Sequence, residues 1–266
     1  MKPKALESVP RLTLLATFAA FIGVVLWLTS IHFAVVSFNH NNTVPYSCWN
    51  HVASELGFPE ASQLTWLFNA TIAVAGLMLL PTIYALGVHL RTRLGYVAVG
   101  FGFFALLSIS GVGMLGLKQD FSHSPYVFMR FIKIHLAIAD AFFLGWLVTL
   151  TLFTIIFCRR WKDPVSVLMA FVGIICWLLY PVFFVVAIYA NPMQAHLQKD
   201  LKDPTFRAML DSPTSSSILS PWLDSYRPHI WWPAALEWSL FWSVLLWHGV
   251  ALIFLWMKTK RTSISQ

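Results

Sequence analysis

The chain has 266 residues, of which 58% are hydrophobic and 11% are charged, and its mean hydropathy is +0.69. A soluble domain of this composition would expose large apolar patches to water, so the composition excludes a soluble protein and indicates a membrane protein. Its net charge of +7 follows from the uneven distribution of basic residues between the two sides of a membrane and does not require a nucleic-acid partner.

Six segments are long and apolar enough to span a bilayer, which takes about 20 residues per helix. The sequence therefore predicts an all-α chain that forms a single six-helix transmembrane domain over residues 1–266. The first segment follows Lys2, Lys4 and Arg11, as a signal peptide would, but it is too long and lacks a convincing cleavage site, so we expect it to be retained. The predicted spans are 12–38, 64–90, 94–117, 131–157, 165–190 and 233–257.

The basic residues predict the orientation of the spans. Eleven of the 18 lysines and arginines lie at the two termini and in the second and fourth connections, whereas nine of the eleven carboxylates lie with the other seven. Under the positive-inside rule, both termini are cytoplasmic in a cell membrane, either plasma or bacterial inner. The long outer loop before the last helix, 191–232, holds five prolines and ends in an aromatic cluster, so we predict a lid at the headgroup level.

The first outer loop contains the stretch NHVASELG, residues 50–57, which is rich in groups used for proton and metal chemistry. His51 and Glu55 are four residues apart, so on a short helical turn they would share one face. They could pair with each other, bind a cation together, or simply cap the loop by hydrogen bonding, and the sequence leaves these alternatives open.

Several polar residues fall in the outer halves of the spans or at their ends. Ionisable groups in a membrane are costly and usually face the interior of a bundle or a wet cavity. These residues therefore predict an outward-facing polar cavity with residues 50–57 at its rim and Asn69, His135 and Asp140 at its floor. Asp140 is the strongest candidate because of its depth, and Lys133 lies two turns before it on the same helix face. The polar set is His32, Asn69, Asp120, His135, Asp140 and Glu237.

Glycines recur along the third span at Gly100, Gly102, Gly111, Gly113 and Gly116. Small residues at such spacing allow neighbouring helix backbones to approach closely. No strand precedes them and no basic residue follows in the register of a phosphate-binding loop, so the pattern favours helix packing over a nucleotide site.

An ordered set of short motifs resembles a known family. HVASELG is followed by Asn69, then by Gly76, then by GVGMLGLKQD at 111–120 and HLAIADAFF at 135–143. This order is similar to that of the prokaryotic six-span membrane proteins grouped as the domain of unknown function 998 family. A more distant likeness is to six-span proteins associated with lipid remodelling. The resemblance implies the fold but no reaction, and its pattern falls on Ser54, Glu55, Leu56, Gly57, Asn69, Asp120 and His135.

Three classes of function fit these residues, and the sequence does not decide whether the chain is an enzyme. The first is a lipid-binding or lipid-handling protein whose cavity receives a headgroup, with Lys133 or Arg130 at its phosphate. The second is a membrane-embedded hydrolase in which a divalent metal activates water. The third is a proton-coupled transporter or a sensor subunit that uses Asp140, which is disfavoured because polar residues are scarce in the inner half.

The candidate residues differ between these readings. The catalytic candidates are Asp140, His135, Glu55, His51 and Ser54. The ligand-binding candidates are Asn69, Lys133, Asp120 and Glu237. The candidate ligands of a divalent metal are His51, Glu55, Asp120 and His135.

Overall fold

A computed structural model of the chain describes residues 5–41, 44–58, 63–117, 125–189, 196, 199–200, 202–210 and 225–264. Within these ranges the chain is α-helical, apart from one 3-10 turn and connecting segments. The helices are α1 (Ala5–Asn41), α2 (Thr65–Leu90), α3 (Arg93–Leu117), α4 (Pro125–Cys158), α5 (Pro164–Tyr189), α6 (Pro204–Leu210) and α7 (Trp232–Ile264), and the 3-10 turn is Ala53–Gly57.

Over the described residues, six helices are long and apolar enough to cross a membrane, with stretches of 24 to 31 residues in α1 to α5 and α7. The predictions of an all-α chain and of six such helices are confirmed, and the chain is a multi-pass membrane protein. Several helices extend past the predicted spans. Helix α4 begins at Pro125 and α7 ends at Ile264, because backbone hydrogen bonding continues after the apolar stretch ends.

Local sequence explains where the tight connections fall. Helix α2 ends at Arg91, which adopts the left-handed conformation with φ of 50° and donates its N–H back into the last turn. The hydroxyl of Thr92 then accepts the N–H of Gly95 at 3.0 Å and caps the start of α3. At the start of α5, Asp163 does the same for Ser166 at 3.2 Å. These caps hold successive helices antiparallel and side by side.

The long helices form a closed bundle. Each of α1 to α4 packs on the next helix along the chain, α7 packs on α5 and α1, and it also touches α2. Large side chains fill the interior, with Trp146, Trp247 and Tyr180 fully buried. The bundle therefore brings α2, α3, α4 and α7 around a common interior, although α7 is far from the others in sequence.

The predicted close approach of the third span is present at Gly113. A Cβ atom there would touch the backbone oxygen of Asn69 and would lie 2.7 Å from the backbone nitrogen of Ala73 on α2. Gly100 differs, because nothing lies within 4 Å of the position of its Cβ. The glycines of α3 therefore do not share one role, and Gly113 is the one that lets α2 and α3 touch backbone to backbone.

One end of the bundle is held by basic residues. Arg160 donates to the carbonyl oxygen of Leu90 at 3.1 Å, and Lys258 pairs with Asp163 at 2.8 Å. Burial alone would raise the pKa of Asp163, but hydrogen bonds from Lys258 and Ser166 outweigh it and lower the pKa. The beginning of α1, the α4–α5 connection and the end of α7 thus lie together at what we call the basic end. The loop 44–58 lies at the opposite end, the loop end.

Candidate functional site

The stretch NHVASELG folds as a 3-10 turn that caps itself. Glu55 accepts the backbone N–H of Val52 at 3.2 Å and closes the turn. His51 precedes the turn, and its ring packs against Phe38 and Tyr46 rather than beside Glu55. The sequence leaves pairing, cation binding and capping open for His51 and Glu55. In the structure Glu55 caps the turn, and His51 lies outside it because the 3-10 helix begins only at Ala53.

Glu55 is held by a residue that the sequence reasoning did not single out. Arg227 donates through Nη2 to Oε2 of Glu55 at 2.9 Å and through Nη1 to Oε1 at 3.1 Å, and it also donates to the backbone oxygen of Asn50 at 2.5 Å. The side chains of Arg227 and Glu55 are 4% and 12% exposed. A buried fork of this kind fixes both position and orientation, so it secures the loop to the segment before α7.

Three further hydrogen bonds join the same loop to α7 and its approach. The N–H of Trp231 donates to the oxygen of Trp49 at 2.8 Å, and the indole N–H of Trp238 donates to the oxygen of His51 at 3.0 Å. The backbone N–H of Ala53 donates to Oε1 of Glu237 at 3.1 Å. The loop is thus a fixed cover over the loop end of the bundle.

His51 is buried inside this cover. Its Nδ1 lies 3.3 Å from the backbone nitrogen of Ser47 and 2.5 Å from Oδ1 of Asn50, and its ring stacks on Tyr46 with centroids 4.8 Å apart. Burial, assisted by the positive charge of Arg227, lowers the pKa of His51 to about 4. Burial, followed by the negative charge of Glu55, raises the pKa of the Tyr46 hydroxyl. Both rings are consequently neutral near pH 7, and His51 serves here in packing and hydrogen bonding.

Asn69 connects the loop to α2 and α3. Its side-chain nitrogen donates to the oxygen of Gly57 at 2.9 Å. A Cβ atom at Gly57 would lie 2.7 Å from the side-chain oxygen of Asn69, and one at Gly116 would overlap the same side chain. Gly57, Asn69 and Gly116 therefore fit together, which explains why a small residue stands at both glycine positions.

A cavity of about 140 Å³ lies between this cover and the interior of the bundle, lined from α2, α3, α4, α5 and α7. Its polar lining residues are Ser54, Asn69, His135, Asp140 and Glu237. The remainder is apolar and rich in aromatic rings, with Phe58, Phe68, Phe131, Phe142, Phe143, Phe183 and Phe241. The cavity is thus mostly apolar, with a small number of polar groups in its wall, the pattern typical of small-molecule sites.

Two residues of α4, His135 and Asp140, have no hydrogen-bond or ion-pair partner in the described part of the chain. His135 is half-buried between the rings of Phe58 and Phe131, and its Nδ1 is buried without a hydrogen bond. Asp140 forms no hydrogen bond or ion pair with described residues, and it remains exposed while it lines the cavity. The cavity therefore opens to the surface of the bundle beside Asp140.

The remaining sequence candidates lie elsewhere. Lys133 is exposed and does not line the cavity, although it lies seven residues before Asp140. His32 is exposed on α1 and also stays outside the cavity, so its outer-leaflet position did not predict its direction. Asp120 and the side chain of Arg130 lie outside the described residues, as does most of the loop predicted as a lid.

Among the described residues, the candidate metal ligands do not lie close to one another. Within the described ranges, no three histidine, cysteine, aspartate or glutamate side chains come together in a way that could hold a metal ion. Glu55 forms an ion pair with Arg227. His51 packs among aromatic rings, and His135 lines the cavity. Divalent-metal chemistry would therefore have to draw on residues beyond this set.

His248 in α7 does not belong to the cavity. It is buried, its Nδ1 lies 2.8 Å from the oxygen of Val244, and its ring stacks on Trp146 with centroids 4.9 Å apart. Its position among core aromatic rings, outside the cavity lining, separates it from the polar residues of the cavity. It is a packed core residue with one hydrogen bond to the helix backbone.

No protein-family model matches the chain, and neither a curated protein nor a solved structure matches it. The resemblance to the domain of unknown function 998 family consequently rests on the ordered motifs alone and stays a prediction. Function has to be argued from the cavity and its lining.

Proposed function

We propose that the chain is a lipid-binding membrane protein whose cavity receives the headgroup of an amphiphilic ligand on the non-cytoplasmic side of a cell membrane. The observation that carries the proposal is the cavity of about 140 Å³ at the loop end, in which five polar residues share a wall with seven phenylalanines. A binding role needs an enclosed volume and oriented polar groups, and this part of the bundle supplies both.

The volume of the cavity is large enough for part of a lipid molecule but not for a whole one. A cavity of about 150 Å³ holds a molecule of the size of benzene, so the observed volume fits a headgroup or its terminal fragment. The acyl chains would remain outside, along the apolar surface of the bundle. Exposed large side chains such as Leu136 and Leu144 lie on the same helix as Asp140 and give these chains a surface to follow.

The opening beside Asp140 supports entry from the membrane. Asp140 lies seven residues after Lys133, where the spanning part of α4 begins, which places it about 10 Å deeper along the helix. An exposed carboxylate at that depth is costly in lipid. A polar ligand group that reached it from the outer leaflet would offset this cost.

The orientation is part of the same proposal. The basic end of the bundle carries Arg159, Arg160 and Lys258, whereas the cavity lies at the loop end. The positive-inside rule would place the basic end in the cytoplasm. The cavity would then draw its ligand from the outer leaflet.

The test compares two substitutions on one helix. Ala139 is half-buried and lines the cavity, whereas Ala137 is exposed and does not. Ala139→Phe fills much of the cavity, and Ala137→Phe adds the same ring outside it. Each protein is purified in mild detergent from the same cells, and the bound lipid is identified and counted by native mass spectrometry.

We expect the wild type and Ala137→Phe to retain lipid at close to one molecule per chain, and Ala139→Phe to lose it. Thermal unfolding checks that all three proteins are folded. Equal lipid retention in the two folded variants would show that the cavity is not the site. Absence of retained lipid from the wild type would remove lipid binding as the function.

A further inference from the structure

The charges in the cavity wall restrict what its ligand can be. Two carboxyl groups, Asp140 and Glu237, lie in the wall, and among the described lining residues there is no lysine or arginine. The guanidinium of Arg227 is paired with Glu55. Lys133 is exposed and does not line the cavity. An anionic group such as a phosphate would meet the carboxylate of Asp140 without a neutralising partner among the described lining residues.

The other polar groups of the wall include hydrogen-bond acceptors. The side-chain amide of Asn69 donates one N–H to Gly57 at 2.9 Å, and its carbonyl oxygen remains an acceptor. Nδ1 of His135 is buried without a partner among described residues and accepts a hydrogen bond when the proton is on the other ring nitrogen. The hydroxyl of Ser54 can accept or donate. Together with the carboxylate of Asp140, these acceptor atoms suit a ligand that is a cation or a donor.

The aromatic lining points to the same chemistry. Seven phenylalanines line a volume of about 140 Å³, so a group that enters it has aromatic rings among its neighbours. Cation–π attraction acts within roughly 6 Å of a ring centroid. Aromatic rings around a cation are a general means of recognising organic ammonium groups.

We infer that the cavity binds an organic ammonium group, with its charge against the Asp140 carboxylate and its methyl or methylene groups against the phenylalanine rings. The inference rests on the proposed function, because it names the part of the ligand that enters the same cavity. The ammonium belongs either to the headgroup of a zwitterionic lipid or to a free small cation, and the experiment separates these two sources.

Water-soluble probes test the ammonium chemistry without a lipid. Binding of tetramethylammonium chloride to the purified, delipidated protein is measured by titration calorimetry, with inorganic phosphate as the anionic probe. We expect saturable binding of tetramethylammonium and none of phosphate. Binding of phosphate in place of tetramethylammonium would overturn the inference.

Two matched pairs of variants assign the contacts. Asp140→Asn removes the charge at nearly constant size, and Asp203→Asn is its control at an exposed position outside the bundle. Phe183→Leu removes a lining ring, and Phe184→Leu changes the adjacent half-buried residue, which does not line the cavity. We expect tetramethylammonium to bind roughly three- to thirtyfold more weakly to Asp140→Asn and Phe183→Leu, and unchanged binding to the two controls.

Lipid nanodiscs identify the source of the ammonium. The protein is reconstituted with equal amounts of phosphatidylcholine and phosphatidylglycerol that carry the same acyl chains, and the lipid that stays bound on transfer to detergent is identified. Preferential retention of phosphatidylcholine, reduced in Asp140→Asn, supports a lipid headgroup. Binding of tetramethylammonium without retention of either lipid supports a free cation and rejects the proposed lipid function.

The two proposals fail in different ways. Equal retention of both lipids, lost in Ala139→Phe but not in Ala137→Phe, would leave the lipid function standing and reject the ammonium inference. Binding of tetramethylammonium with the same affinity in Asp140→Asn and wild type would also reject it, because the carboxylate would then have no part in recognition.

Discussion

Arg227 and Glu55 form a two-point ion pair, with nitrogen–oxygen distances of 2.9 and 3.1 Å, across 172 residues of sequence. The pair is almost fully buried and joins the loop 44–58 to the segment before α7. Since that loop supplies Ala53, Ser54 and Gly57 to the cavity wall, the ion pair determines the position of one side of the cavity without touching its contents.

Removal of one member of the pair is expected to destabilise the protein strongly. In Arg227→Met, the Glu55 carboxylate remains buried without its counter-charge, and breaking a buried pair in this way costs about 3–5 kcal/mol. The loss is measured as the shift in thermal unfolding in detergent. Arg159→Met, at an exposed site on the basic end, is the control and should shift little.

The double variant Arg227→Met with Glu55→Gln separates the ion pair from simple loss of packing. The substituted amide side chain retains an oxygen for the N–H of Val52, and no uncompensated charge remains, so part of the lost stability should return. If the double variant were as unstable as the sum of the two single variants, the two side chains would not be coupled.

Two glycines of α3 should respond in opposite ways to the same substitution. Gly113→Ala places a Cβ against the backbone of α2 and should cost about 1–3 kcal/mol or more, because backbone cannot move aside as a side chain does. Gly100→Ala enters open space and should be neutral or stabilising by up to about 1 kcal/mol. The unfolding temperature of each variant is compared with that of the wild type. Equal effects of the two substitutions would contradict the packing of α2 on α3.

Acid should loosen the loop through His51. Because the pKa of His51 in the folded protein is about 4, against 6.5 for the solvated side chain, the unfolded or opened loop binds a proton in this range that the folded loop does not. The free energy of unfolding should therefore fall as the pH is lowered from about 6.5 toward 4.

His51→Phe isolates this contribution, since it keeps a ring beside Tyr46 and cannot take up a proton. Its unfolding temperature should vary less with pH across the same window than that of wild type. His40→Phe, at an exposed position on α1, should retain the wild-type slope. A wild-type slope in His51→Phe would assign the pH dependence to other groups.

The native cysteines report the orientation in the membrane. Cys48 is exposed in the loop 44–58, and Cys158 is exposed at the basic end of α4. In intact cells, a membrane-impermeant maleimide should label Cys48, and Cys158 should react only after permeabilisation. Proteins that retain just one of these two cysteines assign each label. Labelling of Cys158 from outside would reverse the proposed orientation and place the cavity toward the cytoplasm.

Hydropathy and charge account for much of what could be predicted without a structure. The six spans follow from runs of apolar residues, because a helix in lipid must satisfy its backbone internally and present apolar side chains. Similarly, the cost of polar and ionisable groups at membrane depth directed attention to Asn69, His135, Asp140 and Glu237, which all line one cavity. Whether that cavity is a site of function stays a proposal.

Some interpretations went wrong because they used distance along the chain in place of position in space. His51 and Glu55 are four residues apart but lie in different surroundings, since the chain turns between them as a 3-10 helix. The sequence predicts the same leaflet for His32 as for the cavity residues, but His32 is exposed on α1 and does not line the cavity. Depth in the membrane follows from sequence position, whereas the direction of a side chain depends on which neighbour its helix meets.

The sequence by itself determined the architecture of spanning helices, because the cost of burying polar groups in lipid acts on each segment independently of the others. The tertiary structure decided the pairing of Arg227 with Glu55, the fit of Asn69 between Gly57 and Gly116, and the absence of lysine and arginine from the described cavity wall. Each of these depends on atoms from helices or loops distant in the chain, and such contacts arise only when the bundle closes and brings α7 against α1, α2 and the loop 44–58.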